Sequence, residues 1–117
     1  RDYLPTILTN ITKDMKVYNE EVFGPVIPII PFDTIEEAIE IANDTQYGLG
    51  GFVYTNDKNK FNKVVKGLKT GMIALNSFDY AKPCNPFGGY KKSGIGRNNS
   101  ELGLQRLCNI KVVTYEK

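Results

Sequence analysis

The spacing of apolar and polar residues along the chain predicts a succession of strands and helices. Two strand-like segments come first: PTILTNI at 5–11 is rich in β-branched residues, and VIPIIPF at 26–32 is a nearly continuous apolar run. Such a run is typical of a strand that is covered on both faces, although Pro28 and Pro31 favour a sheet edge or a strand end. The polar segment between the two, TKDMKVYN, is predicted to be a loop.

Helical spacing begins at Thr34. Thr34 and Glu37 form a capping-box pattern, and apolar residues then recur on one face, which predicts a helix over 34–43. The following segment, QYGLGGFVYT, predicts a strand that ends near Thr55. A second helix comes next, because NDK supplies an N-cap, lysines line one face and Gly71 fits the end. Its apolar stripe consists of Phe61, Val64, Val65 and Leu68.

The last part of the chain combines regular segments with a long irregular one. MIALN at 72–76 predicts a short buried strand, and the stretch 77–99 that follows it has no periodicity. A helix is predicted over 100–108, and IKVVTYEK at 110–117 is predicted to be a closing strand. Alternating strands and helices indicate an α/β fold with a largely parallel sheet and right-handed crossovers. Ligands of such sheets bind beyond the carboxyl ends of the strands, and the stretch 77–99 begins at one of these ends.

Composition and charge exclude several classes of protein. The 117 residues can form one domain with a core, and 41% hydrophobic and 24% charged residues are ordinary for a soluble globular protein. A net charge of +2, from 15 basic and 13 acidic residues, argues against a nucleic-acid partner. Apolar runs stay well below the length of a membrane span. The start, RDYLPTILTN, lacks an initiator Met and a signal peptide, which suggests a cut end.

The two cysteines and the glycine cluster do not form a recognisable catalytic or phosphate-binding motif. Cys84 and Cys108 have no CxxC spacing and the chain has no histidine, so a zinc site and a histidine-activated thiol are not expected. A single disulfide is possible, but the composition favours a cytoplasmic protein with reduced thiols. GYKKSGIGR lacks the spacing of a phosphate loop, which favours a flexible loop with solvated lysines.

Two motifs in combination carry a family resemblance. EEVFGP at 20–25 and PFGGYKKSGIGR at 86–97, together with the segments between them and the closing strand, resemble the aldehyde dehydrogenase superfamily over essentially the whole chain. The resemblance implies that 1–109 is the latter part of the catalytic α/β domain and that 110–117 is an oligomerisation strand. It also implies that the nucleophilic cysteine, the general-base glutamate, the oxyanion-hole asparagine and the cofactor domain all precede this region.

The resemblance further implies a role for individual residues. Glu21 matches the glutamate that binds the ribose hydroxyls of the nicotinamide half of NAD or NADP, and Phe23 matches the aromatic residue that packs beside the nicotinamide. Glu20 is interpreted as an exposed charge at a strand end. Cys84 and Cys108 match no nucleophile of the family, so the catalytic residues are expected outside this chain.

The resemblance places the substrate side in the irregular stretch. Phe87 matches a position close to the substrate channel, and the segment containing Phe78, Asp79 and Tyr80 matches the loop that shapes the entrance. Phe78 and Tyr80 would suit an aromatic or apolar aldehyde, whereas Lys82 would equally suit a carboxylate tail. The choice of aldehyde and the choice between NAD and NADP stay open.

The sequence is therefore compatible with two functions. The first is a C-terminal portion of an NAD(P)-dependent aldehyde dehydrogenase, which oxidises an aldehyde to a carboxylate in the intact enzyme and is inactive as this chain alone. It is expected to be cytoplasmic, to bind neither nucleic acid nor membrane, and to form a homo-oligomer through its C-terminal strand. The alternative is a non-catalytic module for self-association or ligand binding.

Overall fold

The computed structural model describes residues 2–116, so Arg1 and Lys117, the last residue of the predicted closing strand, lie outside the described residues. Strands and helices alternate within that range. The strands are β1 (Thr6–Leu8), β2 (Val26–Pro28), β3 (Tyr47–Gly48), β4 (Gly50–Val53), β5 (Met72–Leu75) and β6 (Tyr90–Lys91). The helices are α1 (Lys16–Asn19), α2 (Ile35–Asn43), α3 (Lys58–Gly67) and α4 (Ser100–Gln105). The predicted α/β class is confirmed.

Contacts within the chain define two compact units, one that ends at Ala38 and one that begins at Ile39. In the first unit β1 and β2 pair in parallel, with Ile7 opposite Ile27. The segment between them was predicted to be a loop, but it contains α1. The side-chain amide of Asn19 donates to the carbonyl of Lys13 at 2.6 Å, which closes this short turn of helix.

The prediction of a strand covered on both faces at 26–32 is wrong for this chain. Only Val26–Pro28 form β2, and Ile27 is 58% exposed. The amide of Ile29 still donates to the carbonyl of Leu8 at 2.8 Å, but residues 29–32 belong to no strand, and Pro31 has no amide proton to offer a neighbouring strand. The apolar side chains of this run thus form a surface that no other part of residues 2–116 fully covers.

The second unit is built around β4 and β5, which pair in parallel from Gly50 opposite Met72 to Val53 opposite Leu75. Helix α3 connects the two strands, as a parallel pair requires. Asp57 begins this helix by accepting hydrogen bonds from the backbone amides of Asn59 and Lys60. Among the described residues the buried apolar side chains are Met72 and Ala74, both on β5, so the core of this unit is small.

Asn43 joins the ends of two helices in the second unit. Its amide nitrogen donates to the carbonyl of Gly67 at 2.9 Å, and its carbonyl oxygen accepts from the amide of Lys69 at 2.8 Å. Gly67 ends α3, so the prediction that Gly71 marks this end is wrong. A Cβ at Gly67 would lie 2.9 Å from Cγ2 of Ile39, and a glycine therefore lets α2 and α3 approach closely.

The strand pairing differs from the prediction of one largely parallel sheet. The strands form three separate two-stranded sheets, of which β1–β2 and β4–β5 are parallel and β3–β6 is antiparallel. Strand β6 lies inside the stretch predicted to be irregular, because a short segment can extend when a free strand edge is near. Helix α4 ends at Gln105 instead of Cys108, and residues 109–116 form no strand within the chain.

Candidate functional site

The EEVFGP segment is a compact double turn between α1 and β2. The amide of Glu20 donates to the carbonyl of Lys16 and ends α1. The amide of Gly24 then donates to the carbonyl of Val22 at 3.1 Å, and the amide of Val26 donates to the carbonyl of Gly24 at 2.8 Å. Two consecutive turns of three residues each fold the backbone tightly just before the strand starts.

This double turn projects its side chains into solvent. Phe23 is 95% exposed, and both glutamates of the segment are exposed as well. Within the described residues Glu21 forms no side-chain hydrogen bond or ion pair, so both of its carboxylate oxygens are available as acceptors. Two carboxylate acceptors and an aromatic ring thus lie two residues apart on a backbone that two hydrogen bonds fold into consecutive turns.

An aromatic cluster lies on β4 and on the stretch that follows β5. The ring of Phe52 is tilted against that of Phe78, with 4.5 Å between the centroids, and is stacked with that of Tyr80 at 5.2 Å. Tyr54 contacts the edge of Phe78 at 6.2 Å. The structure therefore brings two predicted substrate residues, Phe78 and Tyr80, together with two aromatic residues of the strand segment.

Asn76 ties the carboxyl ends of β4 and β5 to each other. Its side-chain amide donates to the carbonyl of Thr55 at 2.9 Å, and its side-chain oxygen accepts from the amide of Thr55 at 2.9 Å. Its own backbone amide donates to the carbonyl of Val53. Asn76 has a φ of 50°, a left-handed conformation that asparagine adopts more readily than most residues. The chain therefore turns sharply out of β5 at the point where the predicted entrance loop starts.

Asp79 and Lys82 form an ion pair on this loop. The Lys82 ammonium lies 2.6 Å from Oδ2 of Asp79, and both side chains are at least half exposed. The hydrogen bond to the Asp79 carboxylate, reinforced by its charge, raises the pKa of Lys82 above its ordinary value. The amide of Asp79 donates to the hydroxyl of Ser77. Lys82 is thus already matched by a carboxylate of its own loop.

The glycine-rich segment packs against the rest of the second unit by backbone contact. Phe87 and Asn98 exchange two backbone hydrogen bonds, of 2.8 and 2.7 Å, and so close the segment into a loop. The carbonyl of Gly88 lies where a Cβ of Gly71 would be, so Gly71 permits a close backbone approach. Arg97 donates to the carbonyl of Gly89 at 3.0 Å. Phe87, the third predicted substrate position, is half-buried in this segment.

The two lysines of the same segment are exposed, as predicted, but their ammonium groups also make hydrogen bonds to the chain. The Lys91 ammonium donates to the carbonyls of Asn43 and Thr45, at 2.7 and 2.9 Å, just beyond the end of α2. A cation at this position also interacts favourably with the negative end of the helix dipole. The Lys92 ammonium donates to the side-chain oxygen of Gln46 at 2.6 Å. These contacts hold β6 beside β3.

The two cysteines are free and exposed. Sγ of Cys84 lies 3.8 Å from Oδ1 of Asn85, and neither cysteine has a disulfide partner. Over residues 2–116 no three acidic, cysteine or histidine side chains are grouped closely enough to hold a metal ion. No helix in the same range is both long and apolar enough to cross a membrane.

Comparison with known proteins places this chain in a family. The aldehyde dehydrogenase family profile matches residues 3–113. The chain belongs to the aldehyde dehydrogenase family. Its resemblance to that family, first indicated by EEVFGP and PFGGYKKSGIGR, is thereby confirmed.

Relatives of this aldehyde dehydrogenase chain agree with it in sequence and in fold. The chloroplastic betaine aldehyde dehydrogenase of Atriplex hortensis is 47% identical over 115 residues, which cover 96% of this chain and 22% of the relative. The structure of a Mycobacterium tuberculosis aldehyde dehydrogenase with NAD+ has a TM-score of 0.81 at 46% identity, over 87% of this chain and 21% of that chain. That of a Streptococcus pyogenes succinic semialdehyde dehydrogenase with NADP+ has a TM-score of 0.92 at 41% identity, over 98% and 25%. The chain thus spans about a fifth to a quarter of the length of these relatives.

Two residues of this aldehyde dehydrogenase chain that shape the site region were not predicted from the sequence. Phe52 is the centre of the aromatic cluster, and Asn76 fixes the turn from which the loop departs. Alternation along GFVYT, which puts Phe52 and Tyr54 on one face, could have indicated the first. An asparagine directly after a strand could have indicated the second, because it is favoured in left-handed turns.

Proposed function

We propose that this chain places the nicotinamide half of NAD or NADP and lines the substrate entrance in an NAD(P)-dependent aldehyde dehydrogenase that oxidises an aldehyde to a carboxylate. In this proposal residues 1–109 belong to the catalytic domain and 110–117 form an oligomerisation strand. The observation that carries it is the double turn of EEVFGP, which presents Glu21 and Phe23 to solvent without a partner among the described residues.

The two side chains of the double turn, an acceptor and an aromatic ring, fit a nicotinamide riboside. A carboxylate accepts hydrogen bonds only, so Glu21 can take both vicinal hydroxyls of a ribose. Phe23, two residues away, can pack against a planar ring and restrict its orientation. The bound cofactor supplies the hydride acceptor. The relatives solved with NAD+ and with NADP+ support this class of cofactor, and both forms remain in the proposal.

The substrate side of the proposal rests on the loop after β5. Phe78 and Tyr80 present aromatic surface, and Asp79 and Lys82 present an ion pair on the same short segment. Phe87, at the start of the glycine-rich segment, is proposed to lie at the inner end of this entrance. An aromatic wall favours the apolar body of an aldehyde, since burial of its surface is favourable.

The chain by itself is proposed to be inactive. Cys84 and Cys108 are exposed, and a thiol needs a neighbouring base or an electropositive environment to become a strong nucleophile. The chain contains no histidine to act as such a base. Two free thiols also support a reducing compartment, and we place the enzyme in the cytoplasm.

The test of cofactor placement compares two adjacent carboxylates. In an aldehyde dehydrogenase that contains this chain, Glu21→Gln should slow hydride transfer or weaken cofactor binding by about tenfold or more, because a hydrogen bond to a charged group contributes roughly 1.5–3 kcal/mol. Glu20→Gln is the matched control and should be nearly silent. Steady-state kinetics with NAD and NADP, cofactor titration and thermal unfolding measure the effects.

Three outcomes would contradict this assignment. Equal small effects of the two substitutions, or a larger effect at Glu20, would show that the carboxylate has been assigned to the wrong position. A Glu21→Gln enzyme that loses thermal stability in proportion to its activity would indicate a structural role for Glu21.

The C-terminal residues support a second proposal, self-association. Residues 109–116 form no strand in the single chain, and four apolar side chains there are exposed: Ile110, Val112, Val113 and Tyr115. An extended segment with apolar and polar positions can complete its hydrogen bonds on the sheet edge of another copy. The same observation is compatible with a non-catalytic self-association module. That alternative would be favoured if Glu21→Gln left cofactor binding and hydride transfer unchanged.

A further inference from the structure

The loop after β5 folds back along one face of β4. Residues 50, 52 and 54 share that face, because alternate residues of a strand point to the same side. The Tyr80 ring lies on Phe52 with an interplanar angle of 22°, and the Phe78 ring lies against Phe52 and Tyr54. We name Phe52, Phe78 and Tyr80 the aromatic clasp. Its two loop residues are separated by one position, and both of their rings contact Phe52.

Gly50 provides the space for one half of the aromatic clasp. A Cβ at this position would lie 2.8 Å from the Tyr80 hydroxyl oxygen and 3.1 Å from Cζ of the same ring. Real Cβ atoms are almost never found below 3.0 Å from another heavy atom. Any side chain at Gly50 would therefore require the hydroxyl end of the Tyr80 ring to shift from its present position.

The loop is exposed around the aromatic clasp, and Phe78 keeps 70% of its surface accessible although its ring contacts Phe52. Asp79 lies between the two clasped residues, is 64% exposed and pairs with Lys82. We infer that Phe52 and Gly50 are positioning residues for the substrate entrance: they hold the rings of Phe78 and Tyr80 against β4, so that these rings and the exposed Asp79–Lys82 pair keep a fixed place at the entrance. This inference rests on the proposed substrate role of the loop and adds two residues outside it that set its position.

Limited proteolysis of the full chain with chymotrypsin tests the seating. The protease cleaves after aromatic residues, and a clasped ring must first leave Phe52 before it can enter the specificity pocket, so Phe52→Leu should accelerate cleavage after Phe78 and Tyr80 several-fold. Phe32→Leu is the matched control, because Phe32 is also partly exposed and has no ring contact among the described residues. Equal rates in the two variants, or equal acceleration at sites outside the loop, would overturn the inference.

A second pair of variants tests Gly50 independently of Phe52. Gly50→Ala should accelerate the same two cleavages, and Gly50→Ala combined with Tyr80→Phe should recover part of the loss, since the second change removes the oxygen that the new Cβ meets first. A Gly50→Ala chain that is cleaved like the unmodified chain would overturn the inference. Additive effects of the two substitutions would do the same.

Enzyme kinetics separate the seating of the loop from its proposed role. In an aldehyde dehydrogenase that contains this chain, Phe52→Leu should raise KM for the aldehyde several-fold and leave kcat and KM for the nicotinamide cofactor within twofold. If Phe52→Leu accelerates proteolysis of the loop but leaves the KM for the aldehyde unchanged, the proposed substrate role of Phe78–Tyr80 is refuted. The inference that Phe52 positions the loop would still hold. Unchanged proteolysis with a raised aldehyde KM would refute the seating.

Discussion

Among the side chains at the junction of β4 and β5, that of Asn76 is expected to contribute most to stability. Asn76→Ala removes both hydrogen bonds to the backbone of Thr55 and replaces asparagine with a residue that adopts a φ of 50° less readily. Both changes act where the two strands end and the entrance loop begins. The substitution should therefore destabilise the second unit and loosen the start of the loop.

The magnitude follows from these two contributions. Each hydrogen bond contributes about 0.5–1.5 kcal/mol, so the pair contributes about 1–3 kcal/mol, towards the lower end because the groups are exposed. Asn99 separates the two contributions. It lies in the same unit with a φ of 58° and a ψ of 176° and makes no side-chain cap hydrogen bond, so Asn99→Ala changes the cost of a positive φ without the loss of a cap hydrogen bond, on the order of 1 kcal/mol.

Urea unfolding of the full chain and of the two variants measures the difference. With a slope on the order of 1.5 kcal/mol/M, Asn76→Ala should unfold at a midpoint about 0.7–2 M below that of Asn99→Ala. Amide hydrogen exchange supplies a local readout, because the amide of Thr55 donates to the Asn76 side chain and should exchange faster in that variant alone.

Two results would refute this reasoning. If Asn76→Ala and Asn99→Ala lower the unfolding midpoint equally, the hydrogen bonds to Thr55 contribute nothing beyond the backbone conformation. If the Thr55 amide exchanges at the same rate in all three proteins, the side chain of Asn76 does not hold the end of β4.

Two further predictions concern the chain as a whole. The purified chain mixed with NAD or NADP and a panel of aldehydes should produce no reduced cofactor absorbance, and turnover that survives combined Cys84→Ser and Cys108→Ser would contradict the proposed catalytic inventory. Deletion of 110–117 should reduce self-association in size-exclusion chromatography with light scattering, because the segment supplies the proposed pairing strand. A strictly monomeric, folded chain whose association state does not respond to the deletion would exclude that pairing for this chain.

Local chemistry explains why the two long helices could be predicted from the sequence. Helix α2 begins where the capping-box pattern placed it: the amide of Glu37 donates to the Thr34 hydroxyl at 3.1 Å, and the Glu37 carboxylate accepts from the amide of Asp33. Helix α3 starts at the predicted cap, Asp57. Each of these contacts joins residues within four positions, so a short window of sequence contains all the information.

The family assignment was equally accessible from the sequence, for a different reason. EEVFGP and PFGGYKKSGIGR are combinations of residue types rare enough to identify the aldehyde dehydrogenase family without any structure. The roles of Glu21, Phe23 and Phe87 remain predictions that came with those motifs. The observed double turn and the exposure of Phe23 give the first two a geometry that the motif alone does not contain.

Tertiary structure decided the contacts between distant parts of the chain. Strand β6 pairs with the available edge of β3, and Lys91 donates to a carbonyl at the end of α2. The side chain of Asn76 makes its hydrogen bonds to a residue 21 positions away. Periodicity indicates that a face is apolar but not what covers it, and the exposed Ile27 was predicted to be buried for that reason. Such contacts depend on which edges and faces the fold brings together, and no local window of residues specifies that geometry.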